Sequence, residues 1–207
     1  MINSLSIIIP ALNEEESIPK LLEEINLEFK KINCNLEIIV VDDFSNNKLA
    51  NFISKTENLK IIRNTSRLGQ YGSTLKGVDE ALNEFICIID GDGQNPPKEI
   101  IKLLNLYNEN FGNVDVVAGI RNKRKDKLIR KNYSKFANFL IRKLTGSQMI
   151  DLGCSLKIFN KSHLEELRFS GDIHRILLIL FEKRGLKIIQ KEVEHKERKY
   201  GKTNYGF

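Results

Sequence analysis

Residues 85–97 read FICIIDGDGQNPP. The apolar run Phe85–Ile89 stops at two aspartates, Asp90 and Asp92, followed by Gln94 and a proline pair. A run this short, closed by acid and glycine, reads as a buried strand that delivers two carboxylates to its C-terminal end. Carboxylates are hard oxygen ligands suited to Mg²⁺ or Mn²⁺, and a cation held this way keeps positions open for phosphate oxygens. Gly91 and Gly93 permit close approach of backbone and ligand. The stretch points to a nucleoside-diphosphate substrate. Taken alone, the triplet also reads as a polar turn after a strand.

Working outward, the same punctuation recurs. Leu5–Ile9 is a short apolar strand stopped by Pro10, and Asn13 with Glu16 forms a capping box opening a helix to about Lys31. Leu36–Val41 is a second strand ending in Asp42 and Asp43, followed by a short helix to about Lys55. Leu59–Arg63 is a third strand, Gly69–Asn83 a helix, Pro97–Asn110 a helix begun by proline, and Val114–Ala118 a fifth strand. Continuous apolar strands alternating with helices predict an α/β fold with a mostly parallel, Rossmann-like central sheet flanked by helices. Ligands of such sheets bind at the carboxyl ends of the strands. Pro10–Glu14, Asp42–Asp43 and Asp90–Gln94 all fall there. Further on, 119–127 reads as a charged loop and Leu128–Leu144 as a basic amphipathic helix. Cys154, Leu156 and Ile158 alternate as in a strand, Ile173–Lys183 is helical, and Leu186–Val193 is a last strand.

Composition narrows the class. The chain has 207 residues, 41% hydrophobic and 29% charged, the profile of a globular domain. No stretch approaches the ~18 apolar residues of a membrane span. MINSLSIIIP lacks the basic start of a signal peptide. Three scattered cysteines and no C-x-x-C fit a reduced, cytoplasmic setting. The net charge of +6 is concentrated: ten Lys/Arg against one acid between Arg121 and Lys143, then Lys196, Arg198, Lys199 and Lys202. Nucleic acid, an anionic membrane surface or a phosphorylated ligand each suits such a patch, as does a solvated basic face.

Several blocks together resemble family-2 glycosyltransferases of the GT-A fold, and more narrowly the polyprenyl-phosphate glycosyltransferases of the dolichyl-phosphate mannose synthase group. They are IIIPALNEEESI at 7–18, IIVVDDFS at 38–45, IDGDGQNPP at 89–97, VVAGIRNKRKD at 116–126, DLGCSLKIFNK at 151–161 and HKERKYGKTNYGF at 195–207. The resemblance implies one domain over 1–207, with a nucleotide-sugar-binding half at 1–118 and an acceptor-binding half at 119–207. It places the donor on Pro10, Ala11, Asn13, Glu14, Asp42, Gln70, Asp90 and Gly91. It places Mg²⁺ or Mn²⁺ on Asp90, Asp92 and Gln94, and the acceptor phosphate on Arg121, Arg130, Ser134, Arg198 and Lys202. Asp92, Arg121 and Arg198 are the expected catalytic residues. Glu14 also reads as a charge at a helix N-terminus, and Asp42 as a capping residue. Two features depart from the family pattern: Gly93 stands where leucine is usual, and FSNNKLA after Asp43 lacks the usual second acid, which leaves base recognition open.

The implied activity is inverting, metal-dependent transfer of a sugar from a GDP- or UDP-sugar to a polyprenyl phosphate at the cytoplasmic face of a membrane. A membrane-anchoring subunit is a further implied partner. The first alternative is a family-2 enzyme glycosylating a glycan or other hydroxyl. That chemistry needs a carboxylate base, for which Asp151 is the candidate. A nucleic-acid binder would explain the charge but not D-G-D-x-Q, and a non-catalytic scaffold would not need the acidic and basic residues together.

Overall fold

The apolar runs fold into one sheet in the computed structural model, which describes residues 1–122, 145–165, 167, 174 and 176–199. Its strands are β1 (Ser4–Ala11), β2 (Asn35–Asp42), β3 (Leu59–Arg63), β4 (Phe85–Ile88), β5 (Val116–Asn122), β6 (Lys157–Asn160) and β7 (Ile188–Glu194), in the order β3-β2-β1-β4-β6-β5-β7. The described helices are α1 (Ile18–Phe29), α2 (Gly69–Asp79), α3 (Lys98–Glu109), α4 (Ser162–Glu165) and α5 (Leu177–Lys183).

Successive strand residues face opposite ways, so continuous apolar strands supply two cores. Ile7, Ile9, Ile38, Val40, Cys87 and Ile89 meet α1 and α3 on one face. Ile8, Ile39, Val41, Ile86 and Ile88 meet α2 and α5 on the other. A Cβ built on Gly77 of α2 would lie 2.5 Å from Ile8 Cγ2 and 3.1 Å from Val41 Cγ2, so glycine lets this helix lie directly on the sheet.

The topology gathers the site. β1 to β4 run parallel, and β6 pairs antiparallel with both β4 and β5. Two reversals return β5, and with it β7, to the direction of β4. The reversed β6 therefore presents its beginning, not its end, at the edge where the other strands terminate. Residues 151–157 thereby join Ala11, Asp42, Asp90 and Arg121 along one rim.

The structure corrects several local readings. Pro10 does not stop β1, which continues to Ala11 beside β2. Ile8 O accepts from Ile89 N. By alternation the missing N–H of Pro10 faces the β4 side, beyond the last paired residue, so no ladder bond is lost. Asn13 does not cap α1. Its φ of 52° turns the chain, and the helix begins later, at Ile18 after Ser17. The short helix to Lys55 is a single 3₁₀ turn, Leu49–Asn51. Residues 119–122 belong to β5 rather than to a loop, because they pair with Lys191–Glu194. The predicted helix Leu128–Leu144 lies outside the described residues, and none of the described helices is long and apolar enough to cross a membrane.

Candidate functional site

The strand–turn at Asp90–Gln94 forms the centre. Gln70 Nε2, in the first turn of α2, donates to Asp90 Oδ1 at 2.5 Å. Burial and the neighbouring Asp92 charge push the Asp90 carboxyl up to about 6, against a hydrogen bond from Ser155 and the charges of Lys157 and Arg121. Asp92 Oδ1 accepts from Gln94 N at 3.0 Å. Its Oδ2 holds Arg198 Nη2 at 2.8 Å, and Arg198 Nη1 lies 2.8 Å from Glu14 Oε1. One guanidinium thus bridges the first loop and the carboxylate loop. Burial raises the Glu14 carboxyl above its ordinary value, Arg198 and Ser17 oppose the rise, and Asp92 adds to it.

The turn is fixed from both sides. Ser17 Oγ donates to Gly91 O at 2.7 Å. A Cβ on Gly91 would sit 2.8 Å from Ile18 Cδ1 and 3.3 Å from Ala11 Cβ, so glycine here serves the approach of α1. Gln94 is clasped by the last described segment. Its Nε2 donates to Lys196 O at 2.9 Å, and its carbonyl accepts from Lys196 N at 2.8 Å. Gly93, with φ of 71°, occupies the left-handed region that lets the turn close.

On the β5–β6 side, Arg121 and Asp151 form a two-pronged pair, Nε–Oδ2 2.8 Å and Nη2–Oδ1 2.7 Å. Burial raises the Asp151 carboxyl, but Arg121 and backbone donors more than reverse this and hold it at about 2. Lys157, 3% exposed, donates to the carbonyls of Cys154 and Ser155. Its charge lies close enough to stabilise ionised Asp90. Lys157 was visible as the last residue of D-x-G-C-S-x-K at 151–157, but no role was assigned to it. The signal was a lone cation inside the apolar stretch LKIF at 156–159.

At the end of β2, Asp42 is 1% exposed. Its Oδ1 accepts from Ser45 N at 2.8 Å, and its Oδ2 from Leu49 N at 3.3 Å and Arg63 Nη1 at 2.5 Å. Asp43 accepts from Leu68 N and Gly69 N. Asn13 joins the first loop to this turn: its N donates to Ser45 Oγ, and its Oδ1 accepts from Asn46 N. Arg63 was a residue the sequence did not single out.

Asp90 and Asp92 suit a divalent cation. Among the described residues no three His, Cys, Asp or Glu side chains gather to enclose one. Two hard carboxylates with positions left for diphosphate oxygens is how Mg²⁺ is usually held beside phosphates. Of the predicted site residues, Pro10, Ala11, Asn13, Glu14, Asp42, Gln70, Asp90, Gly91, Asp92, Gln94, Arg121 and Arg198 lie on this one rim. Arg130, Ser134 and Lys202 lie outside the described residues.

Residues 6–168 match the family described as Glycosyl transferase family 2. Undecaprenyl-phosphate 4-deoxy-4-formamido-L-arabinose transferases from Proteus mirabilis and Pectobacterium atrosepticum are 34% and 32% identical, over 100% of this chain and 64% of each relative. The chain therefore spans just under two thirds of the length of these curated relatives. Among solved structures, glucosyl-3-phosphoglycerate synthase from Mycobacterium tuberculosis, in complex with Mn²⁺, UDP-glucose and phosphoglyceric acid, superposes with a TM-score of 0.75 at 17% identity, covering 98% of this chain and 74% of that one. Mannosyl-3-phosphoglycerate synthase from Rubrobacter xylanophilus gives 0.75 at 16% identity, covering 94% and 67%. At such identities the superposition establishes the shared fold.

Proposed function

The chain belongs to glycosyl transferase family 2, and on that footing we propose that it transfers a sugar from a nucleoside-diphosphate sugar to a polyprenyl phosphate. The observation that carries the acceptor class is the Arg121–Asp151 pair. A hydroxyl acceptor needs a base, and a carboxylate held at about 2 by a buried guanidinium is a poor one. A phosphate acceptor is already ionised at neutral pH and needs no base. It needs cations that let two anions approach.

In this reading a phosphate oxygen attacks C1 of the sugar opposite the diphosphate. The C1–diphosphate bond breaks as the new C1–phosphate bond forms, and the anomeric centre inverts. Asp90 and Asp92, with Gln94 beside them, would hold a divalent cation, Mg²⁺ or Mn²⁺, which would supply charge neutralisation at the leaving diphosphate. Arg198 leads the acceptor-side cations, with Arg121, Arg130 and Lys202 as further candidates and Ser134 as a hydroxyl donor to the phosphate. Arginine suits this task because its fork meets phosphate oxygens in pairs. A groove beside Asp92, bordered by Lys20, Lys196 and Lys199 as well as Glu24 and Glu197, offers an approach for the headgroup. Residues 1–118 then form the donor half and 119–207 the acceptor half, working at the cytoplasmic face of a membrane.

The test mixes the protein with Mn²⁺, a polyprenyl phosphate in detergent, and a panel of labelled UDP- and GDP-sugars. Organic-soluble label with one donor, lost with EDTA and in Asp92→Ala, is expected. Label transferred only to a sugar hydroxyl, and retained in Arg198→Ala, would favour the glycan-acceptor alternative.

A further inference from the structure

Phe44 stands in an arrangement that packing does not call for. It follows β2 with φ of 63°, in the left-handed region that bulky side chains avoid. The strain is not offset by burial, because the residue is 49% exposed. Strain kept at an exposed aromatic is a reason to look for a ligand.

The ring is held in place. The Arg63 guanidinium lies over it, 5.3 Å from the centroid. That guanidinium is itself fixed, Nη1 on Asp42 Oδ2 at 2.5 Å and Nη2 on Ser45 O at 2.8 Å. Ser45 and Asn46 are tied to Asn13 of the first loop at 2.9 and 2.8 Å. Asp43 is tied to the backbone at the start of α2. The turn is anchored before and after the ring, and a planar cation backs one of its faces. Asp42 is enclosed by these same contacts, so its carboxylate faces the protein rather than the rim.

We propose that Phe44 is the platform on which the nucleobase of the donor stacks, with Asp42 and Arg63 acting as its support. The inference rests on the reading of this rim as a nucleoside-diphosphate-sugar site and adds the residue that meets the base. Every nucleobase offers a π-face, and an aromatic ring already fixed by its neighbours loses little freedom on stacking.

The test measures UDP and GDP binding in the presence of Mn²⁺ for the unaltered protein, Phe44→Gly and Phe44→Tyr, with pyrophosphate as a probe lacking a base and thermal unfolding alongside. Glycine accepts a φ of this sign without strain. Phe44→Gly is therefore expected to leave Tm unchanged or raised and pyrophosphate binding intact. The better nucleotide weakens about 5- to 150-fold, the range of base–aromatic stacking. Phe44→Tyr is expected to bind as the unaltered protein does. Unchanged nucleotide binding in Phe44→Gly overturns the platform alone, as does an equal loss of nucleotide and pyrophosphate with a lowered Tm. Failure of the unaltered protein to bind either nucleotide, with pyrophosphate still bound, overturns the donor reading beneath it.

Discussion

Arg198 shows how much of the site depends on one side chain. Its two nitrogens neutralise Glu14 and Asp92, both largely buried. Removing it leaves two carboxylates facing each other without a counter-charge. Arg198→Ala should destabilise the fold by about 1–3 kcal/mol in urea denaturation, the scale of a partly buried pair losing one partner. It should also lower transfer at least tenfold. Arg198→Lys should recover stability more than transfer, since lysine restores charge but not the fork. Asp90 acts in the opposite sense. Its folded carboxyl is raised from 3.8 to about 6, so its ionisation opposes folding. That cost is absent below about pH 4, grows between pH 4 and 6, and is complete above. Asp90→Asn should therefore stabilise the protein by on the order of 1–3 kcal/mol at pH 7.5, with the gain vanishing in acid, while Mn²⁺ binding is lost. Paired thermal scans and Mn²⁺ titrations at both pH values check this.

At the scale of elements, strands were the legible part. Apolar runs of Ile, Val and Leu bounded by acid or glycine have one economical use in a chain of this size, and β3 falls where its residues predicted it. Element ends were less legible because they are decided by partners far away in sequence. Pro10 looked like a stop because its neighbours on the two sides were unknown. Arg121 looked like loop because its pairing with Val193 was invisible. The reversal of β6, which brings Lys157 to the rim, has no local sequence mark at all. Helix positions were set by periodicity, but the closeness of α2 to the sheet rests on Gly77. Gly77→Ala should cost about 1–3 kcal/mol by overpacking against Ile8 and Val41, seen as a lowered urea midpoint with an unchanged slope. Nucleotide affinity should change less, because only the far end of α2 carries Gln70.

For the molecule as a whole, charge and topology act together. The sheet collects carboxylates and guanidiniums at one rim, and the net charge of +6 biases the protein toward anionic surfaces. Flotation with vesicles containing anionic lipid should retain the protein at low salt and release it at about 0.5 M salt, where exposed charges are screened beyond a few ångströms. Retention on neutral vesicles alone would show that apolar contact dominates instead. The acidic loop, the turns at the strand ends and the family resemblance were all readable along the chain. The bridging role of Arg198 was not, because its partners lie 184 and 106 residues away.

That separation also sets a timetable. At ~5–20 residues per second, Glu14 leaves the ribosome roughly 10–40 s before Arg198 does. Asp92 follows, roughly 5–20 s before Arg198, and from then the nascent sheet carries its acidic pair without the guanidinium that balances it. The rim is completed late, when the segment carrying Lys196 and Arg198 joins the Asp90–Gln94 turn.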